Sequence, residues 1–278
     1  MNDAAVSAVL AWGLPRLRDF PWRRTRDPWA VLVSEVMLQQ TQASRVVPKW
    51  HAFIEQFPTP ASCAIAPLGD VLRCWQGLGY PRRARALHSA AAAIVDRGDF
   101  PSHLEGLLSL PGVGPYTARA VLAFAFERDA AVVDTNIARV LARRAGQRLT
   151  ATQAQKAADD ALPRGESWAW NQCLMDLGAT VCRPVPVCDE CPVARGCAWR
   201  GKGPDPAEGS AGVSRPQSPF EGSERQARGR LLRALTTGGS VPLARVEDVM
   251  QHPKARALVD SLCAEGLVVR EGEWLRLP

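Results

Sequence analysis

The sequence predicts an all-α fold over residues 1–200, followed by a small winged-helix-like module at its C-terminal end. Three observations carry that expectation. Apolar side chains recur at helical spacing through almost all of residues 1–200, without the two-residue alternation of a half-buried strand. Four cysteines, Cys182, Cys188, Cys191 and Cys197, close this stretch in the pattern C-x5-C-x2-C-x5-C. From Gly201 to Ser223 the chain turns to Gly, Pro and Ser, and residues 224–278 then resume with a different periodicity. A chain of 278 residues with 46% hydrophobic content has ample apolar surface for a core.

Taken in order, helices are expected at Ala4–Phe20, Ala30–Phe57, Leu68–Leu78, Arg82–Arg97, Leu104–Leu110, Tyr116–Phe126, Thr135–Ala145, Ala151–Leu162 and Ser167–Gly178. Pro21, Pro28, Pro58, Pro60, Pro67, Pro101 and Pro111 fall at breaks or in first turns, where a missing N–H costs little. The stretch 28–57 is too long for one helix, and Pro48 is expected to divide it. A short extended piece is expected at Ala131–Val133. Residues 201–223 read as a flexible linker. Beyond it, Glu224–Thr236, Leu243–Met250 and Lys254–Glu265 read as helices, and LVVR and WLRLP, joined by Glu271-Gly272-Glu273, read as a hairpin. The domains expected are a core over 1–200 with a cysteine loop at 182–197, the linker, and a module over 224–278.

A net charge of +6 favours a polyanionic partner. Of the 34 basic residues only Lys49, Lys156, Lys202 and Lys254 are lysines, a bias that reflects codon usage in part, so not every arginine reads as a phosphate contact. No apolar run approaches the roughly 20 residues of a membrane span. The N-terminal stretch lacks the pattern of a signal peptide. A cytoplasmic protein, nucleoid-associated when it meets DNA, is therefore expected, and disulfides are disfavoured in that compartment. Cys63, Cys74, Cys173 and Cys263 read as small buried residues.

Four features carry chemistry. Leu110-Pro-Gly-Val-Gly-Pro-Tyr-Thr117 has helix on both sides, and Gly112 and Gly114 allow a tight turn whose following N–H groups could face a phosphate. An ordinary helix–helix turn is the plainer reading; the full eight-residue context favours a helix–hairpin–helix. Glu35 sits among Val31, Leu32, Val33, Val36, Met37 and Leu38. If that helix is buried, the glutamate resists ionisation and suits a general acid; if Gln39 and Gln42 mark a solvent stripe with it, it is a surface residue. Asp134 precedes the helix TNIARVLARRAG, where a plain N-cap is the commonest job. Beside an acid, an ionised carboxylate could instead stabilise the oxocarbenium ion of glycosidic cleavage. The four clustered cysteines suit structural zinc, a disulfide set or an iron–sulfur cluster; the single C-x2-C disfavours zinc, the compartment disfavours disulfides, and the cluster leads. Arg183, Arg195 and Arg200 in that loop could meet a phosphate backbone or simply be solvated.

PWR (Pro21–Arg23), SEVMLQQTQ (Ser34–Gln42), GLGY (Gly77–Tyr80) followed by RRARALH, LPGVGPYTA (Leu110–Ala118), VVDTNIARVLAR (Val132–Arg143) and the cysteine loop occur in this order. In that order residues 1–200 resemble the MutY-type adenine DNA glycosylases, within the helix-hairpin-helix superfamily that includes endonuclease III. The resemblance implies a monofunctional glycosylase that flips and excises adenine mispaired with 8-oxoguanine or guanine, acting on double-stranded DNA as a monomer. It implies that Glu35 protonates the base, that Asp134 stabilises the sugar cation, and that Asn136 and Tyr116 orient them. It further implies that Trp22 and Arg23 line the adenine pocket and that Gln40, Thr41, Leu78, Gly79 and Tyr80 face the lesion, with Tyr80 wedged into the stack. The four cysteines would hold a [4Fe–4S] cluster.

Tyr116 stands where bifunctional relatives carry the Schiff-base lysine, so no strand cleavage is expected. The chain departs from the family in two places. Five residues, against the usual six, separate Cys182 from Cys188, and 55 C-terminal residues are too few for the Nudix-like domain that many relatives use to read 8-oxoguanine. The short tail resembles that of actinobacterial relatives. The alternatives are a thymine glycosylase for T·G mismatches, which the Gln40–Thr41 pair disfavours, and a non-catalytic iron–sulfur DNA-binding protein, which the presence of Glu35 and Asp134 disfavours.

Overall fold

Short turns join α-helices along almost the whole chain, and one small sheet lies near its end. The computed structural model describes residues 1, 3–213 and 218–278. The helices are α1 (Asp3–Gly13), α2 (Pro28–Leu38), α3 (Ala43–Gln56), α4 (Pro60–Ala64), α5 (Leu68–Trp75), α6 (Arg82–Arg97), α7 (Leu104–Leu108), α8 (Pro115–Phe124), α9 (Thr135–Ala145), α10 (Ala151–Asp159), α11 (Ser167–Thr180), α12 (Glu224–Gly238), α13 (Val246–Met250) and α14 (Ala255–Ala264). Local chemistry sets their ends. Thr59 with Ser62 and Thr150 with Gln153 form reciprocal caps at the starts of α4 and α10. Gly98 and Gly146, at φ 85° and 69°, end α6 and α9 in the left-handed conformation.

The chain divides into two compact units. The first comprises Met1–Leu32, Ser102–Leu108 and Val113–Arg215. Its central element is α11, which packs against α1, α8 and α9 and buries Trp170, Cys173, Leu174 and Leu177. Asp176, 2% exposed, fastens this helix to the segment before α2. Its carboxylate accepts two hydrogen bonds from Arg23, both at 2.8 Å, and two from Arg18, from the backbone N–H at 2.8 Å and from Nε at 2.7 Å. Burial opposes the charge on Asp176, but the hydrogen bonds and charges of Arg23 and Arg18 outweigh it and lower the pKa. Asp176→Ala leaves the nearly buried Arg23 guanidinium uncompensated, so it is expected to cost about 3–5 kcal/mol in urea unfolding. A depressed carboxylate stabilises above its unfolded pKa of about 3.9, and that contribution is lost as pH falls through the folded value. The wild type should therefore lose stability towards the variant only in acid; a loss below about 1 kcal/mol at neutral pH would show that the pair does not stabilise the unit.

The second unit comprises Val33–Pro101, Ser109–Gly112 and Pro216–Pro278. In it α6 packs against α4 and α5, and α12 packs against α13, α14 and the first strand. Strands β1 (Ser240–Pro242), β2 (Val269–Glu271) and β3 (Trp274–Arg276) form an antiparallel sheet in the order β1-β3-β2. Val241 pairs with Leu275, and both side chains are buried. The expected hairpin is β2–β3, and β1, three residues ending in proline, adds a third strand to it.

Three sequence expectations are corrected. Pro48 does not divide the 28–57 stretch: the break falls between α2 and α3, where Gln40 takes φ 55°, and α3 runs through Pro48. Proline there removes one backbone donor near the helix start without breaking it. No strand forms at Ala131–Val133, whose backbone is tied instead to side chains, such as Asn171 Oδ1 accepting from Val132 N at 3.0 Å. The linker is not loose throughout. Asp205 pairs with Arg143 at 2.6 Å, and Ala211 N donates to Leu149 O at 2.9 Å. Ala207 and Ser210 are buried. Residues 214–217 of the expected linker lie outside the described residues.

The division into units also differs from the expected domains, because residues 224–278 join the same unit as α3–α6. Glu265, beyond α14, accepts from Arg82 at 2.5 Å and from Arg228 at 2.9 Å and 2.5 Å. Its carboxyl is pulled down to about 2, chiefly by the Arg82 hydrogen bond. Thr236 Oγ1 donates to Gln76 at 3.1 Å, and Gly69 N donates to Pro278 O at 2.8 Å. Charged and backbone contacts of this kind leave no hydrophobic signature in the sequence.

Candidate active site

In the first unit, Asp134 caps α9, its Oδ1 accepting from Ile137 N at 2.7 Å. Oδ2 accepts from Asn136 Nδ2 at 2.8 Å. Asn136 Oδ1 in turn accepts from Arg139 Nη2 at 2.9 Å, and Arg139 donates onward to Gly178 O at 2.6 Å and, through Nε, to Cys182 O at 2.7 Å. A continuous hydrogen-bonded path therefore joins the Asp134 carboxylate to the first cysteine of the loop. Gly178 makes it possible: a Cβ there would lie 2.6 Å from Asn136 Cβ, so any side chain would push α11 off α9. Asp134 is half-buried, and the dense protein around it raises its pKa; desolvation outweighs the Ile137 and Asn136 hydrogen bonds. It is thus both the cap and a perturbed carboxylate, one of the marks of a functional site.

Trp22 is buried and stacks on Phe20 at 5.0 Å. Arg23 is bound to Asp176 through both terminal nitrogens, so its guanidinium acts first as a fastener of this wall. Tyr116 sits half-buried in the first turn of α8, and no lysine occupies its place. Gly114 caps α8, and a Cβ on it would meet no protein atom within 4 Å. Gly112, in the second unit, takes φ 76°, and a Cβ there would strike Ala86 at 2.6 Å.

Cys182, Cys188, Cys191 and Cys197 are all half-buried and line one cavity with Val181, Pro186, Val187, Ala194 and Trp199. Among the described residues no three His, Cys, Asp or Glu side chains converge as ligands of a single metal ion. Arg143, 1% exposed, organises the loop. It donates to Cys182 Sγ at 3.4 Å, to Arg183 O at 2.7 Å and to Pro184 O at 2.9 Å, and its own carbonyl accepts from Cys197 Sγ at 3.4 Å. Arg200 N donates to Cys197 Sγ at 3.4 Å. Four thiols around one cavity, with the Arg143 guanidinium on Cys182 and a backbone N–H on Cys197, suit anionic sulfur ligands. Arg183, Arg195 and Arg200 are exposed.

In the second unit, Glu35 is 4% exposed on α2 among Val31, Leu32, Val33 and Val36, so the buried alternative holds over the solvent stripe. Its Oε2 atom is enclosed by protein. Thr41, Leu78, Gly79 and Tyr80 are gathered around one residue, Arg83 of α6, which also binds the carbonyl of Gln39, next to the exposed Gln40. Its Nη1 donates to Val36 O at 2.8 Å, Met37 O at 3.2 Å and Gln39 O at 2.5 Å. Its Nη2 donates to Thr41 Oγ1 at 3.3 Å, Leu78 O at 3.2 Å and Gly79 O at 3.1 Å. Arg83 therefore locks the end of the helix carrying Glu35 to the GLGY loop. Burial lowers its pKa, and a lost guanidinium would leave six acceptors to be satisfied again. Nothing in RRARALH singles out Arg83, and nothing local in the sequence marks Arg139, Arg143, Asp176 or Gly178. An arginine in an arginine-rich chain carries no signal of its own; only a register of one buried arginine among exposed ones could have marked them.

No helix among the described residues is long and apolar enough to cross a membrane. Residues 33–163 match the family model of the HhH-GPD superfamily base excision DNA repair proteins, a span holding Glu35, the GLGY loop, the hairpin and Asp134. The adenine DNA glycosylase of Mycobacterium tuberculosis is 42% identical, over 94% of this chain and 89% of its own length. A thermostable thymine-DNA glycosylase superposes with a TM-score of 0.65 at 30% identity, over 70% of this chain and 94% of that one. Endonuclease III in a non-covalent DNA complex gives a TM-score of 0.61 at 25% identity, over 69% of this chain and 91% of that one. With that identity across nearly the whole of both chains, and with the superfamily match over the buried glutamate and the capping aspartate, the chain belongs to the adenine DNA glycosylase family of the HhH-GPD superfamily.

Proposed function

We propose that the protein is a monofunctional glycosylase that extrudes adenine mispaired with 8-oxoguanine or guanine from duplex DNA and hydrolyses its N-glycosidic bond. The observation that carries this reading is a pair of carboxylates in unlike surroundings, one buried on an apolar helix and one fixed at a helix start by two hydrogen bonds. Glycosidic cleavage needs this division of labour. Glu35 gives its proton to a ring nitrogen of the adenine, the bond electrons leave with the base, and the deoxyribose C1′ becomes cationic. Ionised Asp134 stabilises that cation until water adds to C1′ and releases a proton. Asn136 holds Asp134 Oδ2, and Arg139 behind it keeps the amide turned with its NH2 towards the carboxylate.

Tyr116 carries no amine, so the product is an intact strand with an abasic site. The open face of Gly114 and the start of α8 receive a backbone phosphate. Trp22 and Arg23 wall the adenine pocket, while Gln40, Thr41, Leu78, Gly79 and Tyr80 meet the opposite base. Adenine is favoured over thymine because the adenine DNA glycosylase shares 42% identity over 94% of the chain, against 30% over 70% for the thymine-DNA glycosylase. Single-turnover excision on duplexes carrying A opposite 8-oxoguanine, A opposite guanine and T opposite guanine tests the assignment.

Cys182, Cys188, Cys191 and Cys197 would hold a [4Fe–4S] cluster, which cross-links the loop and supplies a redox-active anionic centre. Arg143 and Arg139 balance its charge and fix the loop to α9. Purified protein is expected to be brown, with about four irons per chain. Stoichiometric zinc without visible absorbance would overturn this part.

A further inference from the structure

Residues 77–80 form a loop that cannot hold itself. Gly77, Gly79 and Tyr80 all take positive φ, at 94°, 74° and 47°. For tyrosine that conformation is strained and persists only where neighbours enforce it. The carbonyls of the loop are fastened from the α3–α6 side. Arg45 donates to Gly77 O, Arg83 to Leu78 O and Gly79 O, and Trp75 Nε1 to Gly79 O at 3.0 Å. The Arg83 guanidinium lies 5.4 Å from the Tyr80 ring centroid. None of these contacts reaches the far end of the tyrosine.

That end is held by the C-terminal segment. Arg225 Nη1 donates to the Tyr80 hydroxyl at 3.1 Å. Arg225 is itself fixed, its Nη2 donating to Ser218 O at 3.1 Å and its guanidinium lying 5.5 Å from the Phe220 ring. It stands in the first turn of α12, where the helix dipole disfavours a cation, so the position is not explained by helix formation. Two hydrogen bonds close the turn: Ser223 Oγ accepts from Gln226 N at 3.2 Å, and Gln226 Oε1 accepts from Gly222 N at 2.8 Å. Glu265 docks α12 and α14 on α6 through Arg228 and Arg82. A guanidinium has only donors, so the tyrosine hydroxyl accepts and its own hydrogen points away from Arg225.

We propose that Arg225 is a positioning residue for recognition of the opposite base, setting the Tyr80 side chain through its hydroxyl so that the C-terminal segment contributes to the preference for 8-oxoguanine over guanine. This rests on the proposed role of Tyr80 at the mispair.

The test is a double-variant cycle on the full chain with Arg225→Ala, Arg225→Lys, Tyr80→Phe and Arg225→Ala with Tyr80→Phe. Single-turnover adenine release and affinity for uncleaved duplex are each measured with 8-oxoguanine and with guanine opposite adenine. Arg225→Ala and Tyr80→Phe should each shrink the preference for 8-oxoguanine by roughly three- to tenfold, the scale of one hydrogen bond. The double variant should shrink it no further than either single one, and Arg225→Lys should restore part of it. Losses that multiply in the double variant, or equal losses on both duplexes, would overturn the proposal and leave Arg225 a merely structural residue. If the wild type releases no adenine, the proposed function fails, and the same cycle read by duplex affinity still decides the role of Arg225.

Discussion

Glu35→Gln is expected to cut adenine release by about 10²–10⁴-fold, the usual contribution of a general acid, while leaving affinity for the mispaired duplex close to wild type. Glutamine keeps the length and planarity of the side chain but has no proton to give to the departing base. The position is 4% exposed on a helix whose Val31, Leu32 and Val36 are buried as well, so the isosteric amide causes little repacking. The replacement also removes the need to hold an ionisable group in an apolar helix, so stability should be equal or slightly higher. Base release measured beside a binding titration separates the two effects. Release within about tenfold of wild type would remove Glu35 from the acid role.

Asp134→Asn should lower release by about 10²–10³-fold, because an amide offers a dipole where the sugar cation needs a full negative charge. Asparagine caps helices about as well as aspartate, so the Ile137 N–H keeps an acceptor. The second oxygen is replaced by an NH2 facing Asn136 Nδ2, and Asn136 cannot simply turn over, since its own oxygen accepts from Arg139. That conflict is offset because burial already raises the pKa of Asp134 and disfavours its charge. Net stability should therefore change by about 1 kcal/mol or less. The raised pKa has a second consequence. An aspartate that must be ionised to work fails as pH falls through its folded pKa, so the acid limb of the wild-type rate should begin above the ordinary aspartate range of about 3.9. An Asp134→Asn protein that unfolds at ambient temperature, yet excises normally when folded, would reduce Asp134 to a cap.

Much of the architecture was legible because helices write their burial into the sequence every three or four residues. The periodicity of residues 82–97 and 135–145 places α6 and α9 within their observed limits, and Gly98 and Gly146 end both. The break after α2 was hard to place because Pro48 is a visible signal, whereas the positive φ falls on Gln40, an exposed residue with no glycine or proline beside it. Glu35, Asp134 and the cysteines could be picked out since each is the wrong residue type for its neighbourhood, or clustered beyond chance. Arg83, Arg139 and Arg143 are the right type for anywhere in this chain, and their importance lies in what they reach across the fold. The attachment of residues 224–278 was hidden for the same reason: Glu265 looks like any helix-end glutamate until Arg82 and Arg228 are found on it. Arg225 on the Tyr80 hydroxyl is a further contact of this kind.

The central claim is that this chain hydrolyses the bond between deoxyribose and a mispaired adenine and leaves the strand intact. The most direct measurement follows a single turnover on duplexes with A opposite 8-oxoguanine, A opposite guanine, and T opposite guanine, identifying the free base and analysing the strand with and without alkali. The account predicts free adenine from the first two duplexes and no thymine from the third. It also predicts a strand that breaks only after alkali. Release of thymine in place of adenine, or cleavage of the strand without alkali, would contradict it.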